Sequence, residues 1–394
     1  MVLQEIIFWV CLFIVFYAFL GYGLVLYFLV RLKLFFSPSA PSSDLYYAPE
    51  VSLVIPCYNE SDIIREKVVN SLALDYDHQK LSLYFITDGS TDNFREVLAE
   101  FPGIKLLHED RRGGKTAAEN RAMLYINTPI VIFSDANTLL NKDAVKNIVR
   151  HFENEDVGCV SGEKRVLSDE KDTASAAGEG IYWKYESFLK KLDSQLYSAV
   201  GAAGELVAFR TSLYEELPED TILDDFMQSM LIAAKGFKII YEPEAYALET
   251  GSASVSEELK RKIRISAGGW QSMKRLWVKI TPFNLPLLYF QYLSHRVLRW
   301  TVTPFLLILV FILNFFLLDL GWVYPVIFVA QVIFYLAAAL GYFLENRQIR
   351  MKLLFVPYYF CVMNYAVVAG LIRFLKGGQK GTWEKAKRKT MSTT

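Results

Sequence analysis

In IVIFSDANTLL, residues 130–140, an apolar run closes on Asp135, and Asn137 follows two positions later. Residues two apart on an extended chain project to the same side, so both oxygens can face one ion. Hard divalent cations such as Mg2+ or Mn2+ take oxygen ligands and share them with substrate phosphates. Asp and Asn also form ordinary polar turns, so the pair taken alone supports either reading. Asp88 closes another apolar run in TDGSTDN, whose residues are equally turn and helix-cap formers. DRRGGKTAAEN, residues 110–120, places three bases and two glycines ahead of a helical pattern. Backbone N–H groups at a helix start, together with Lys115, favour anionic oxygens. The spacing is not that of a P-loop, and a solvated basic loop competes with a phosphate site. Asp224 and Asp225 precede the helical spacing of Met227, Leu231 and Ala234, as an N-terminal cap or as a general base. KRKIRISAGGWQSM carries Arg261, Lys262 and Arg264 ahead of two glycines and Trp270. That segment suits a membrane interface or a closure over phosphate. Trp183 and Tyr185 suit a core, an interface or a sugar platform.

The elements that must position these residues alternate. VSLVIP, LSLYFIT, IKLLHE and PIVIFS read as short strands, each followed by helical spacing: Ile63 to Leu72, Phe94–Phe101, Thr116–Ile126 and Lys142–Phe152. Such alternation predicts an α/β fold with a mostly parallel sheet and helices on both faces. Ligands of such sheets collect beyond the carboxyl ends of the strands, where CYNE, DGSTD, DRRGGK and DAN stand. Further on, VGCVSGEKRVL and KIIYEPEAYALE read as strands, and TASAAGEGIYWKYESFLKKL as an amphipathic helix.

The 394-residue chain is 53% hydrophobic, high for a purely soluble protein, so part of it belongs in lipid. Ile6 to Val30 carries no charge, more than the roughly 20 apolar residues a spanning helix needs. Glu5 before it and Arg31 and Lys33 after it favour a retained anchor over a cleaved signal. The same two bases put the following domain on the cytoplasmic side. The expected organisation is an anchor at 1–34, a Pro/Ser-rich linker at 35–48, a catalytic domain at 49–280, an interfacial helix at 281–300, a membrane region at 301–376 and a basic cytoplasmic tail at 377–394. Pro304–Leu318 and Val323–Phe343 read as a hairpin. A third run, Leu353–Leu375, is expected to bend at Pro357 and Asn364 and return, because a straight crossing would put the basic tail outside, against the positive-inside tendency. Net charge is zero, which gives no case for nucleic acid. The four cysteines show no metal-ligand spacing and read as reduced and structural.

Taken in order, VSLVIPCYNE, DGSTD, RRGGK, SDAN, GAAGELVAFR, LDDF and RKIRISAGGWQ resemble a family 2 glycosyltransferase of the GT-A fold, of the membrane-integrated kind related to bacterial polysaccharide synthases. The resemblance covers about Tyr47 to Lys274. It implies a Rossmann-like catalytic domain flanked by transmembrane helices, in a multi-pass protein of the cell inner (plasma) membrane. It implies a nucleotide-sugar donor, expected to be a UDP-sugar, held by Pro56, Tyr58, Glu60 and Asp88 with Lys115 and Arg264 nearby. Asp135 and Asn137 fall on the family's D-x-D motif for Mg2+ or Mn2+. Gly201 to Gly204, Asp224 and Trp270 fall near donor sugar and acceptor, and Asp225 falls on the catalytic base. Three positions depart from the family: Thr87 where Asp is common, Asn137 for the second metal aspartate, and Arg261 and Ile265 for the glutamine and tryptophan of Q-x-x-R-W. The expected activity is metal-assisted inverting transfer to a glycan or lipid-linked saccharide. A polyprenyl-phosphate acceptor and a non-catalytic nucleotide-sugar-binding scaffold are the alternatives.

Overall fold

The computed structural model describes residues 2–36, 47–167, 174–250, 255–347 and 352–377. Most of the linker and the basic tail beyond 377 lie outside the described residues.

Eight strands form one sheet: β1 (Val51–Cys57), β2 (Leu81–Asp88), β3 (Lys105–Glu109), β4 (Ile130–Ser134), β5 (Leu139–Leu140), β6 (Val157–Leu167), β7 (Leu206–Arg210) and β8 (Lys238–Thr250). Their order is β3-β2-β1-β4-β7-β6-β8-β5. β1 lies parallel to β2 and β4, and β2 to β3, as alternating strands and helices require. The second half is mixed. β7 runs antiparallel between β4 and β6, β6 and β8 are parallel, and β5 runs antiparallel to β8 at the edge. The chain builds outward from β1 to β3 and then returns to the other side of β1 with β4. That reversal opens a crevice at the carboxyl ends of β1 and β4.

Both faces of the sheet are buried, and the period of two explains how. Leu53, Ile55, Ile130 and Ile132 enter one core cluster, while Val54, Val131 and Phe133 enter the other. The short helices α3 (Ser61–Leu72), α4 (Phe94–Ala99), α5 (Lys115–Met123) and α6 (Ala144–Val149) follow the first four long strands. α3, α4 and α6 cover the first cluster through Ile64, Phe94 and Ile148, and α5 covers the second through Ala118 and Ala122. α8 (Asp224–Ala234) adds Phe226, Met230 and Ile232 to the second. Two longer helices, α7 (Ala174–Leu196) and α9 (Val255–Leu276), carry the domain toward the apolar segments.

α1 (Val2–Phe16) and α2 (Tyr22–Phe36) join through a π-helical turn at Tyr17–Gly21. The combined 35-residue helix extends roughly 50 Å at about 1.5 Å per residue, more than the ~30 Å of a hydrocarbon core. Its excess length is used inside the protein: Tyr22, Leu26 and Val30 of α2 pack with Leu189, Leu192 and Leu196 of α7. At its other end Phe8 and Cys11 pack against Val310, Leu317 and Tyr324, and the Tyr324 hydroxyl bonds Glu5 at 2.9 Å. α10 (Pro286–Tyr292) and α11 (Leu298–Trp300), joined by a π turn, meet α12 (Thr303–Phe316) at a 60° bend, and α13 (Val323–Asn346) follows. Among the described residues, three helices are long and apolar enough to cross a membrane, or four if the bent pair is one span.

The expected bend in the last apolar run is not present. α14 (Lys352–Leu375) is one unbroken helix with Pro357 inside it. Asn364 is spent within the helix, its amide donating to the Phe360 carbonyl at 2.9 Å. Pro357 falls in the second turn, where the missing N–H costs one intrahelical bond and does not end the helix. The run still returns to the catalytic domain, because α14 packs along α9. A Cβ on Gly370 would stand 2.5 Å from the Ser266 side chain.

Candidate active site

The crevice begins with two loops tied to one another. Asn59, after β1, has the left-handed φ of 50°. It receives a hydrogen bond on its side-chain oxygen from the Thr91 N–H at 2.8 Å and donates its own N–H to the Ser90 hydroxyl at 3.1 Å. Asp88, at the end of β2, is buried and accepts the N–H groups of Gly113 and Gly114 at 2.9 and 2.7 Å, with Arg121 3.5 Å away. The glycine loop therefore closes over Asp88, and Gly114 enters α5 at a φ of 101°, which favours glycine. Arg112 lies 3.7 Å over the Tyr58 ring, a cation–π contact between two of the motif loops. Pro56 is paired within β1 to Ile86, and Glu60 starts α3 by accepting from Ile63 and Ile64 through its backbone oxygen. Thr87 bonds His108 at 2.8 Å, so a hydroxyl stands where the family commonly has a second carboxylate.

Lys115, the first residue of α5, is the hub. Its Nζ reaches Asp135 at 2.7 Å, Asp224 at 3.7 Å and Glu119 at 3.8 Å. Burial opposes its charge, but Asp135, Asp224, Glu119 and Asp225 outweigh that and hold its pKa well above the ordinary lysine value. Asp135 is partly open to solvent, its side chain 28% exposed. Asn137 turns its amide N–H toward Glu249 at 3.3 Å, and Glu249 is also paired with Lys164. No cluster of three or more His, Cys, Asp or Glu side chains fit to hold a metal occurs among the described residues. The protein donors here are one carboxylate and one amide, both hard oxygen ligands. They fit a Mg2+- or Mn2+-like ion whose remaining ligands come from a diphosphate.

Lys67 was not visible as a site residue in sequence. It is fully buried beneath the Asp135 turn, donating to Ser134 Oγ at 2.7 Å and the Thr138 carbonyl at 2.8 Å. Burial pulls its pKa down to about 7, against the attraction of Asp135. It thus pins the residues that bracket the Asp-Ala-Asn turn. A lysine among apolar and polar helix residues carries no local signal of this role.

Asp224 and Asp225 form the first turn of α8. Burial and then the charge of Asp224 push Asp225 up to about 7, with Lys115 pulling the other way. Gly204 makes room for it: a Cβ there would stand 3.0 Å from Asp225 Oδ2 and 3.2 Å from Lys115 Nζ. Gly201 has a φ of 82°, and a Cβ on it would lie 2.2 Å from the Phe226 ring, so both features require glycine. Phe226 in turn contacts Trp300, ring centroids 5.4 Å apart, and Trp300 lies against Gly269 of α9. Gly201, the start of α8 and α11 therefore form one packed unit.

α9 approaches from above the same carboxylates. Gly268 lets it lie against Ile222 and Leu223, and Gln271 accepts the Ile222 N–H at 3.1 Å. Burial lowers the Arg264 pKa, with Asp224, Asp225 and Asp135 opposing and Arg261 crowding it. Trp270 packs on the second core cluster. Trp183 lies beneath two ammonium groups, Lys262 at 5.2 Å and Lys164 at 5.3 Å, and Tyr185 donates its hydroxyl to the Phe19 carbonyl at 2.6 Å. The structure thus gathers Lys115, Asp135, Asp224, Asp225, Gly204 and Arg264 into one electrostatic cluster, beside the Asp88 and Tyr58 loops. Trp270 takes a packing position and Tyr185 an anchoring one.

Residues 52–217 match the family model described as Glycosyl transferase family 2. A poly-beta-1,6-N-acetyl-D-glucosamine synthase of Staphylococcus epidermidis is 25% identical over 305 residues, 74% of this chain and 73% of that protein. A synthase of the same description from Staphylococcus aureus is 27% identical over 237 residues, 57% of this chain and 56% of its own. Among solved structures, a mannosyltransferase of Pyrobaculum calidifontis in complex with GDP-Man and Mn2+ covers 94% of this chain and 99% of its own, at a TM-score of 0.72 and 22% identity. The strand order, the crevice and these likenesses agree: the chain carries a glycosyl transferase family 2 domain on a GT-A fold, and it is a glycosyltransferase.

Proposed function

We propose that the protein is a membrane-bound inverting transferase that moves a sugar from a UDP-sugar to a hydroxyl of a glycan or lipid-linked saccharide, with Asp225 as general base. The observation that carries this reading is the carboxyl of Asp225, half-buried, raised to about 7 and faced by Gly204 and Lys115. A base of that pKa accepts a proton at neutral pH and is strong enough to assist attack. Asp225 takes the proton of the acceptor hydroxyl as its oxygen bonds to the anomeric carbon and the bond to the diphosphate breaks. Lys115 and Arg264 supply positive charge on the leaving-group side. Asp88, Tyr58, Pro56 and Glu60 line the nucleoside end. A divalent cation held by Asp135 and Asn137 would stabilise the departing diphosphate. The synthases similar to this chain make UDP-N-acetylglucosamine the first donor to try. Arg31 and Lys33, after the anchor, support a cytoplasmic domain at the inner membrane.

Asp225→Asn is expected to lower transfer by about 10²–10⁴-fold while UDP binding, followed by calorimetry on the full chain in nanodiscs, changes little. Loss of binding together with activity would make Asp225 a structural cap.

A second reading, a polyprenyl-phosphate acceptor, draws on Lys190 of α7. This lysine is buried, lies 5.8 Å from the Tyr241 ring and has its pKa lowered by burial and then by Arg296, with Glu186, Glu205 and Asp225 opposing. A phosphate oxygen is already an anionic nucleophile and needs no base. An organic-soluble labelled product from an Asp225→Asn variant that retains transfer would favour this reading over the first.

A further inference from the structure

Beneath the base lies a small cavity of about 10 Å3, room for about one water. It is lined by Lys115, Glu119, Asp224, Asp225, Gln228 and Tyr214 over an apolar floor of β4 and β7. Around one lysine the chain has placed four carboxyls, three of them within 3.8 Å of its Nζ. If all four were ionised, the carboxylates would outnumber the cations Lys115 and Arg264 by two where an anionic diphosphate must bind.

Two observations show how the imbalance is relieved. Glu119 is 6% exposed, and its carboxyl is in hydrogen-bond contact with that of Asp224. Asp224 Oδ2 is buried, and among the described residues no ordinary N–H or O–H donor satisfies it. Two carboxyls in contact need a proton between them, and one of the two must then be the acid. Glu119 is that acid, because burial and then Asp224 hold it well above the ordinary value of 4.5, with Lys115 opposing and Asp135 adding to the rise. Asp224 keeps the closer approach to Lys115.

We propose that Glu119 is a positioning residue for the catalytic base: as the neutral acid it donates a hydrogen bond to Asp224 and holds Asp224 as the carboxylate whose charge keeps Asp225 basic. The inference rests on the reading of Asp225 as that base. The groups that face Glu119 are Lys115 on its own helix, Asp224, Asp225 and Gln228 of α8, Asp135 beyond β4 and Tyr214 after β7. Removing the donated hydrogen bond leaves Asp224 Oδ2 without a donor and frees its side chain to move away from Asp225, which relieves the repulsion on Asp225.

The test uses the full chain in nanodiscs, with UDP release from UDP-N-acetylglucosamine as the probe. Glu119→Gln keeps a neutral donor and is expected to hold kcat within about threefold, with the acid limb of the pH profile unmoved. Glu119→Leu removes the donor and is expected to lower kcat about tenfold or more and shift that limb down by about one unit. Equal damage from both variants, or an unmoved limb in a folded Glu119→Leu protein, overturns the proposal.

Thermal unfolding supplies a readout that does not depend on Asp225. A carboxyl whose folded pKa is raised loses its contribution to stability as pH climbs above its ordinary value near 4.5. Glu119→Gln should therefore become progressively more stable than the wild type as pH rises. Curves that stay parallel show that Glu119 holds no such proton. An active Asp225→Asn variant would remove the base reading alone.

Discussion

The cluster around Lys115 and the cluster around Glu186 are both buried and both built of charged side chains, yet their carboxyls move in opposite directions. Asp225 is pushed up to about 7, whereas Glu186 is held well below the ordinary carboxyl range by Arg299, Arg296 and His295, against the cost of its burial. At Glu186 each acid has its cation. Arg299 lies 2.7 Å from one of its oxygens, with Arg296 3.2 Å and His295 3.3 Å from the other. His295 also meets Asp193 at 2.5 Å, and Asp193 takes the Tyr22 hydroxyl and the Gln291 amide. That network joins α2, α7 and the α10–α11 segment, so it fastens the N-terminal helix to the catalytic domain. Lys115 by contrast meets four carboxyls, with Arg264 as the other cation acting on Asp224, Asp225 and Asp135. A paired cluster holds elements together, whereas an unpaired one keeps groups ready to take a proton or an ion.

The largest effect on stability should come from breaking the balanced cluster. Glu186→Gln leaves two arginines buried without their carboxylate and is expected to cost about 3–5 kcal/mol, read as a fall in the unfolding midpoint of the detergent-solubilised chain. A loss below 1 kcal/mol would mean that water already screens the cluster. The opposite sign is expected at the other one. Asp225 has a folded pKa near 7 against an ordinary 3.8, so the wild type loses stability as pH rises between those values. Asp225→Asn should be more stable above pH 7, by on the order of 2 kcal/mol once the coupling to Asp224 is discounted, and the gap should close below about pH 4. A variant equally or less stable at pH 8 would show that the cluster is not strained. The smallest effect concerns metal. With one carboxylate and one amide available, Mn2+ binding followed by electron paramagnetic resonance should be weak without nucleotide and tighten with UDP. Tight binding to the protein alone would mean that further side chains converge on the ion.

The difference between the clusters also explains what could be read in advance. The first four strands and their helices were legible because β-branched runs and helical spacing alternate there without interruption. Asp135 and Asp225 were legible because each stands at an element end inside an ordered series of motifs. β7 is not among the expected strands: LVAFR follows the Gly201–Gly204 loop within GAAGELVAFR, and its antiparallel direction depends on β4 and β6 rather than on its own residues. Lys67, Glu119 and Glu186 were missed for one reason. Each is a charged residue on a helix, and an exposed face accounts for it until a distant segment covers it.

Sequence by itself determined the family motifs, the alternation that builds the parallel half of the sheet, and the long apolar helix at the start, because these depend on local composition and period. Only the tertiary structure decided that the last apolar run is one helix lying along α9, that Asn137 turns to Glu249, and that four carboxyls share one lysine. Those outcomes depend on burial and on Coulomb forces that bring distant segments together, Lys115 with Asp224 and Asn137 with Glu249 among them, which no local pattern encodes.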